Sequence, residues 1–120
     1  MKLLALRGAT TCEQDTQAEI DEKTQKLVQE MLARNGIDHD DLVSIIFTAT
    51  EDLTSEFPAT AARKLGLGDV PLICARELAI VHGMKRCIRV LMHFYGDHDR
   101  DSLHHVYLEN ARSLRDDLPE

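Results

Sequence analysis

The sequence predicts an α+β domain over residues 1–120, a mixed β-sheet with one long helix and one or two short helices on one of its faces. Three observations carry that prediction. The candidate elements follow the order β-α-β-α-β-β-β. Only one segment holds a helical period over a useful length. The candidate strands are apolar and β-branched to an extent that so little helix cannot cover.

"KLLALR" (residues 2–7) is short, apolar and followed by Gly8, and reads as the first strand. Thr16 and Glu19 form the T-x-x-E capping pattern that opens a helix. Ile20, Leu27, Val28, Met31 and Leu32 then recur at helical spacing, and Asn35-Gly36 closes the element. "LVSIIFTAT" (residues 42–50) is nearly continuous in apolar and β-branched residues, which predicts a strand buried on both faces. "EDLTSEF" is a loop. Pro58 suits the first position of a second, shorter helix, "PATAARKLG", ending near Gly66 or Gly68.

"VPLICA" is a short strand that Pro71 places near an edge or at a strand start, because proline removes a ladder donor. "RELAIVHG" reads equally as a loop or a helical turn. "MKRCIRVLMHFY" (residues 84–95) is the longest strand, "GDHDRD" an acidic turn, and "LHHVYLENA" the last strand before a polar tail. A sheet covered by so little helix leaves apolar surface open. Symmetric association of identical chains is the economical way to cover it.

Composition narrows the function. Hydrophobic residues are 43% and charged residues 29% of the 120, the balance of a globular protein with one real core. Tryptophan is absent, aromatics are 4% and the net charge is −7, so neither nucleic acid nor an anionic membrane is expected as partner. Cys12, Cys74 and Cys87 show no CxxC spacing and suit free thiols in a reducing compartment. "MKLLALRGATT" is too short in its apolar part for a signal peptide, and no apolar run approaches the roughly 18 residues that span a bilayer. A cytoplasmic enzyme or binding protein is the expectation.

The informative residues are arginines in strands. Alternation puts Cys87, Arg89, Leu91 and His93 on one face of the longest strand, and Ile88, Val90, Met92 and Phe94 on the core face. In the first strand Leu4 and Leu6 share one face while Leu3, Ala5 and Arg7 share the other. A guanidinium cannot shed its charge, so each arginine needs a partner. Taken singly, each reads as a paired or snorkelling side chain. Two together, with Glu77 and Tyr107 also set among apolar residues, form a natural receptor for a compact di-anion, since each guanidinium can grip a carboxylate by two hydrogen bonds.

Competing chemistries find little support. No histidine stands near Cys74 to activate it as a nucleophile. The adjacent His104-His105 pair would face opposite sides of a strand, a poor chelate, and no metal is expected. "RGA" is far from a phosphate-cradling glycine loop.

"LRGATT" at the start, "FPATAAR" at 57–63, "CARE" at 74–77, "KRCIRV" at 85–90 and "HVYLENA" at 105–111 resemble the monofunctional trimeric chorismate mutases of the α/β type. The likeness runs in order from the first strand to about Leu118. It implies a homotrimer forming a pseudo α/β-barrel, with active sites in clefts between adjacent subunits. The implied activity is rearrangement of chorismate to prephenate, in aromatic amino-acid biosynthesis, with no cofactor and no metal.

By the same resemblance, Arg7 meets the enolpyruvyl carboxylate with Tyr107 beside it, and Arg89 donates to the ether oxygen whose bond breaks. Glu77 and Cys74 lie near the ring hydroxyl. Phe57, Ala59, Arg63, Leu72 and Ile73 form a wall from the neighbouring subunit, and Arg115 closes the mouth from the tail. The chain departs from the family pattern at Thr60, where lysine is common, and at Ile73, where threonine is usual. "LGLGDVP" is one residue shorter than the pattern. Two other readings share the interface arginine or the anionic ligand: a trimeric imine or enamine deaminase, and a non-catalytic sensor of a small carboxylate.

Overall fold

A computed structural model of the chain describes residues 1–114. The elements are strand β1 (Lys2–Thr11), helix α1 (Gln17–Asn35), strand β2 (Leu42–Ala49), helix α2 (Pro58–Lys64) and strands β3 (Leu72–Arg76), β4 (Cys87–Gly96) and β5 (Val106–Tyr107). Short 3₁₀ turns cover His39–Asp41, Arg100–Ser102 and Glu109–Leu114. The five strands form one sheet in the order β3-β2-β4-β1-β5. Its centre is antiparallel, β1 and β2 flanking β4, and both edge strands pair in parallel.

Helix α1 begins where the sequence places it. Thr16 is in extended conformation and its hydroxyl accepts the Glu19 amide at 3.2 Å. The Glu19 carboxylate does not return to Thr16 but accepts the amides of Glu13 and Gln14, tying the preceding turn to the helix. Gly36 ends the helix at φ 57°, a left-handed conformation that glycine adopts without strain. Buried Asn35 then donates to the carbonyls of Met31 and His104 and accepts the His104 amide at 2.8 Å, joining the helix end to the segment before β5.

Both helices lie on one face of the sheet. There Leu4, Leu6, Ile45, Phe47, Val90, Met92 and Phe94 meet Leu27, Val28 and Met31 of α1 and Ala59 and Ala62 of α2. Gly8 is the point of closest approach: a Cβ there would lie 2.5 Å from the Met31 sulfur, so glycine lets α1 settle onto β1. Pro71 immediately precedes β3, which is an edge strand, so both of the positions it permits are realised together.

Four expectations change. β1 does not stop at Arg7 but continues to Thr11, because Gly8–Thr11 pair with Cys87–Val90. β4 starts at Cys87 rather than at residue 84, since Arg86 turns the chain with φ 47°. The last strand is only Val106–Tyr107, after which the chain winds into the 3₁₀ turn. β2 is buried on one face only: Ile45, Phe47 and Ala49 are covered, whereas Ile46 and Thr48 remain half-exposed, because both α-helices lie on the other side.

Candidate active site

The uncovered face of the sheet carries the strand arginines. Register aligns them: Arg89 of β4 stands opposite Ala9 of β1 and Thr48 of β2, and Ala9 in turn pairs with Tyr107 of β5. Arg7, two residues before Ala9, points to the same side. Glu77 follows β3 and extends its ladder by one bond, its amide donating to the Ala49 carbonyl at 2.9 Å. A cavity of about 290 Å³ opens among Arg7, Thr48, Glu77, Arg89 and Tyr107, floored by Ala9, Ile46 and Leu91.

Within it Arg89 Nε lies 3.2 Å from Glu77 Oε2, the two side chains being 48% and 25% exposed. That contact engages one of the five guanidinium donors. Among the described residues no carboxylate pairs with Arg7. Two guanidinium groups therefore face one carboxylate, a local positive excess in a chain of net charge −7. Thr48 Oγ1 donates to the same Glu77 Oε2 at 2.8 Å.

The ends of these strands are held by backbone. The Arg7 amide donates to His105 Nδ1 at 2.9 Å, and the Leu108 amide donates to the Ala9 carbonyl at 2.9 Å, so β5 brings Tyr107 to the cavity's rim. At the start of β4 both Asp52 carboxylate oxygens accept the Arg86 amide, at 3.1 and 3.0 Å. Thr50 accepts the Cys87 amide at 3.0 Å, and Arg86 Nε donates to the Cys12 carbonyl at 3.0 Å. This knot anchors the start of β4, two residues before Arg89.

Among the described residues, the other candidate positions do not line this cavity. Phe57 and Cys74 border a separate depression of about 420 Å³ beside Ala49, Pro58 and Arg76. Ile73 shares the uncovered face, in register with Ile46, and is 61% exposed. Leu72 is half-buried against the core, Arg63 is exposed on α2, and Ala59, 2% exposed, packs within the core. Arg115 lies outside the described residues. Thr48, Asp52 and Arg86 were not singled out by the sequence. Thr48 looks like an ordinary strand residue until the β2–β4 register is known.

The thiols differ in reach. Burial pushes the Cys12 thiol up to about 12, with Glu19 adding to the shift. Burial also raises Cys87, against the opposing pull of Arg89. Cys74 is half-buried and borders the depression. Iodoacetamide at pH 8 is therefore expected to add to one cysteine of the native chain, with peptide mapping placing the adduct on Cys74. Rapid modification of Cys12 or Cys87 would contradict this burial.

Residues 3–118 match the family model described as chorismate mutase type I. The chain is 47% identical over 114 residues to the chorismate mutase AroH of Thermus thermophilus, covering 94% of this chain and 93% of that one. It is 42% identical over 119 residues to the chorismate mutase AroH of Bacillus subtilis (strain 168), covering 98% and 94%. The solved structure of a chorismate mutase from Clostridium thermocellum superposes with a TM-score of 0.90 at 45% identity, covering 92% of this chain and 98% of that one.

Proposed function

The chain belongs to the chorismate mutase type I family and is a chorismate mutase, and on that premise we propose that Arg89, Arg7, Tyr107 and Glu77 carry the rearrangement of chorismate to prephenate. The observation that supports this is their convergence on one cavity of the uncovered sheet face. The deaminase and sensor readings give way to the family assignment.

The reaction is a one-substrate pericyclic step in which a C–O bond breaks as a C–C bond forms. It calls for no nucleophile, proton transfer, metal or redox group, and arginine, useless as a general acid, is well suited to it. Negative charge grows on the ether oxygen as the C–O bond lengthens. Arg89 donates to that oxygen in the manner of an oxyanion hole, where one preorganised donor is worth about 3–4 kcal/mol.

Arg7 grips the side-chain carboxylate with Tyr107 beside it, folding the flexible arm over the ring before reaction. Glu77 accepts from the ring hydroxyl. An acceleration of about 10⁶ requires roughly 8 kcal/mol, which the ether-oxygen donor and conformational restraint together can supply.

The site is completed in a homotrimer, in which a neighbouring chain supplies Phe57, Arg63, Leu72 and Ile73 as the facing wall, and Cys74 lies near the ring hydroxyl. Ala59 shapes that wall from behind by seating α2, and Arg115 closes the mouth. The uncovered apolar face, with Leu3 57% and Ile73 61% exposed, supports association. Three free thiols support a cytoplasmic location. Among the described residues no helix is long and apolar enough to cross a membrane.

Arg7 tests the reading because its bond to a carboxylate is present before the barrier as well as at it. Arg7→Ala is expected to raise KM for chorismate about 10- to 100-fold, the equivalent of one charge-assisted bond. An unchanged KM in steady-state kinetics would remove Arg7 from the site.

A further inference from the structure

We propose that Thr48 is a positioning residue for the rearrangement. Its hydroxyl decides which Glu77 oxygen faces the ligand and keeps that carboxylate from closing over the Arg89 fork. The inference rests on the roles given above to Glu77 and Arg89. Thr48 and Arg89 are direct cross-strand neighbours, and both reach Glu77 Oε2, Thr48 Oγ1 at 2.8 Å and Arg89 Nε at 3.2 Å. The other oxygen, Oε1, receives the Leu78 amide at the long distance of 3.4 Å. Oε2 is thus committed to protein, and Oε1 is the oxygen offered to a ligand hydroxyl.

A free carboxylate beside an arginine prefers two parallel bonds, which would engage a second donor of the fork. The last torsion of a glutamate is broad and nearly two-fold, so nothing intrinsic to Glu77 prevents that rotation. A third group bonded to Oε2 does. Threonine is well suited to the task, because β-branching in a strand leaves its χ1 little freedom. Thr48 need not touch the substrate. It acts through Glu77, and its loss falls on the step at which Arg89 meets developing charge.

Steady-state kinetics on chorismate with the full chain tests this. Thr48→Val is expected to lower kcat about tenfold with KM within about twofold, and Thr48→Ser to restore kcat to within about threefold. In a Glu77→Ala background, Thr48→Val is expected to have no further effect, because the group it positions is gone. Thr48→Ala is read in the same cycle should the valine variant fold poorly. Wild-type kcat in both Thr48→Val and Thr48→Ala, with Glu77→Ala impaired, would overturn the role of Thr48 alone. Equal losses in the two backgrounds would do the same. Wild-type kcat in Glu77→Ala would instead overturn the role of Glu77, and this proposal with it.

Discussion

Arg89→Ala is expected to lower kcat by about 10²- to 10³-fold, the range lost when one preorganised donor to a developing anion is removed. KM is expected to move far less, because the ether oxygen carries little charge in the ground state and the carboxylate contacts remain. The fold is expected to survive. Arg89 is 48% exposed, so its pair with Glu77 is screened by solvent and adds little to stability. Thr48 also remains to hold the stranded carboxylate. The thermal midpoint, followed by circular dichroism beside the kinetics, separates lost chemistry from lost structure.

Arg89→Lys is expected to fail nearly as badly. A lysine ammonium is a compact charge on a different stem, and it cannot contact Glu77 and the ether oxygen through separate members of a planar fork. A variant at either substitution that retained near-normal kcat would show that charge at the ether oxygen is stabilised by some other group.

Leu3→Asp is the second large effect, acting through assembly rather than chemistry. Leu3 lies on the same uncovered face as Arg7 and is 57% exposed, so an aspartate there is solvated in the single chain and the core beneath is untouched. In a closed symmetric assembly the same substitution appears at every interface, each time enclosing an unpaired carboxylate at a cost of several kcal/mol. The variant is expected to elute as a single folded chain by size exclusion with light scattering. Its kcat/KM is expected to fall about 100-fold or more, since the neighbour's wall no longer orients the substrate. A fully active single-chain species would show that the site is complete within one protomer.

Much of this architecture is legible in local pattern. The Thr16 cap and Gly36 stop of α1, the alternation of β4 and the position of Pro71 before an edge strand are each set by a few neighbouring residues. That Arg7 and Arg89 face away from the core follows from a period of two. The assignment of Glu77 and Tyr107 to their side came from family resemblance together with an apolar setting, and the structure places both at the cavity beside the arginines.

What local pattern missed is pairing. β1 runs on to Thr11 only because β4 lies beside it, and residues 84–86, which read as the start of the longest strand, are diverted by Asp52, which captures the Arg86 amide from a distant loop. β2 looks buried on both faces because its residues are apolar or β-branched nearly throughout, and composition does not say that the helices cover one face alone.

The amino-acid order was enough to specify which side chains are apolar, which cannot lose their charge and which of the two faces each occupies, since these depend on chemistry and backbone period alone. Only the folded sheet settled that Thr48, Arg89, Ala9 and Tyr107 stand in one row, with Glu77 reaching in from the edge. Register between strands far apart in the chain is a long-range quantity. It is set by turns, knots and helix packing acting together, and no short stretch of residues encodes it.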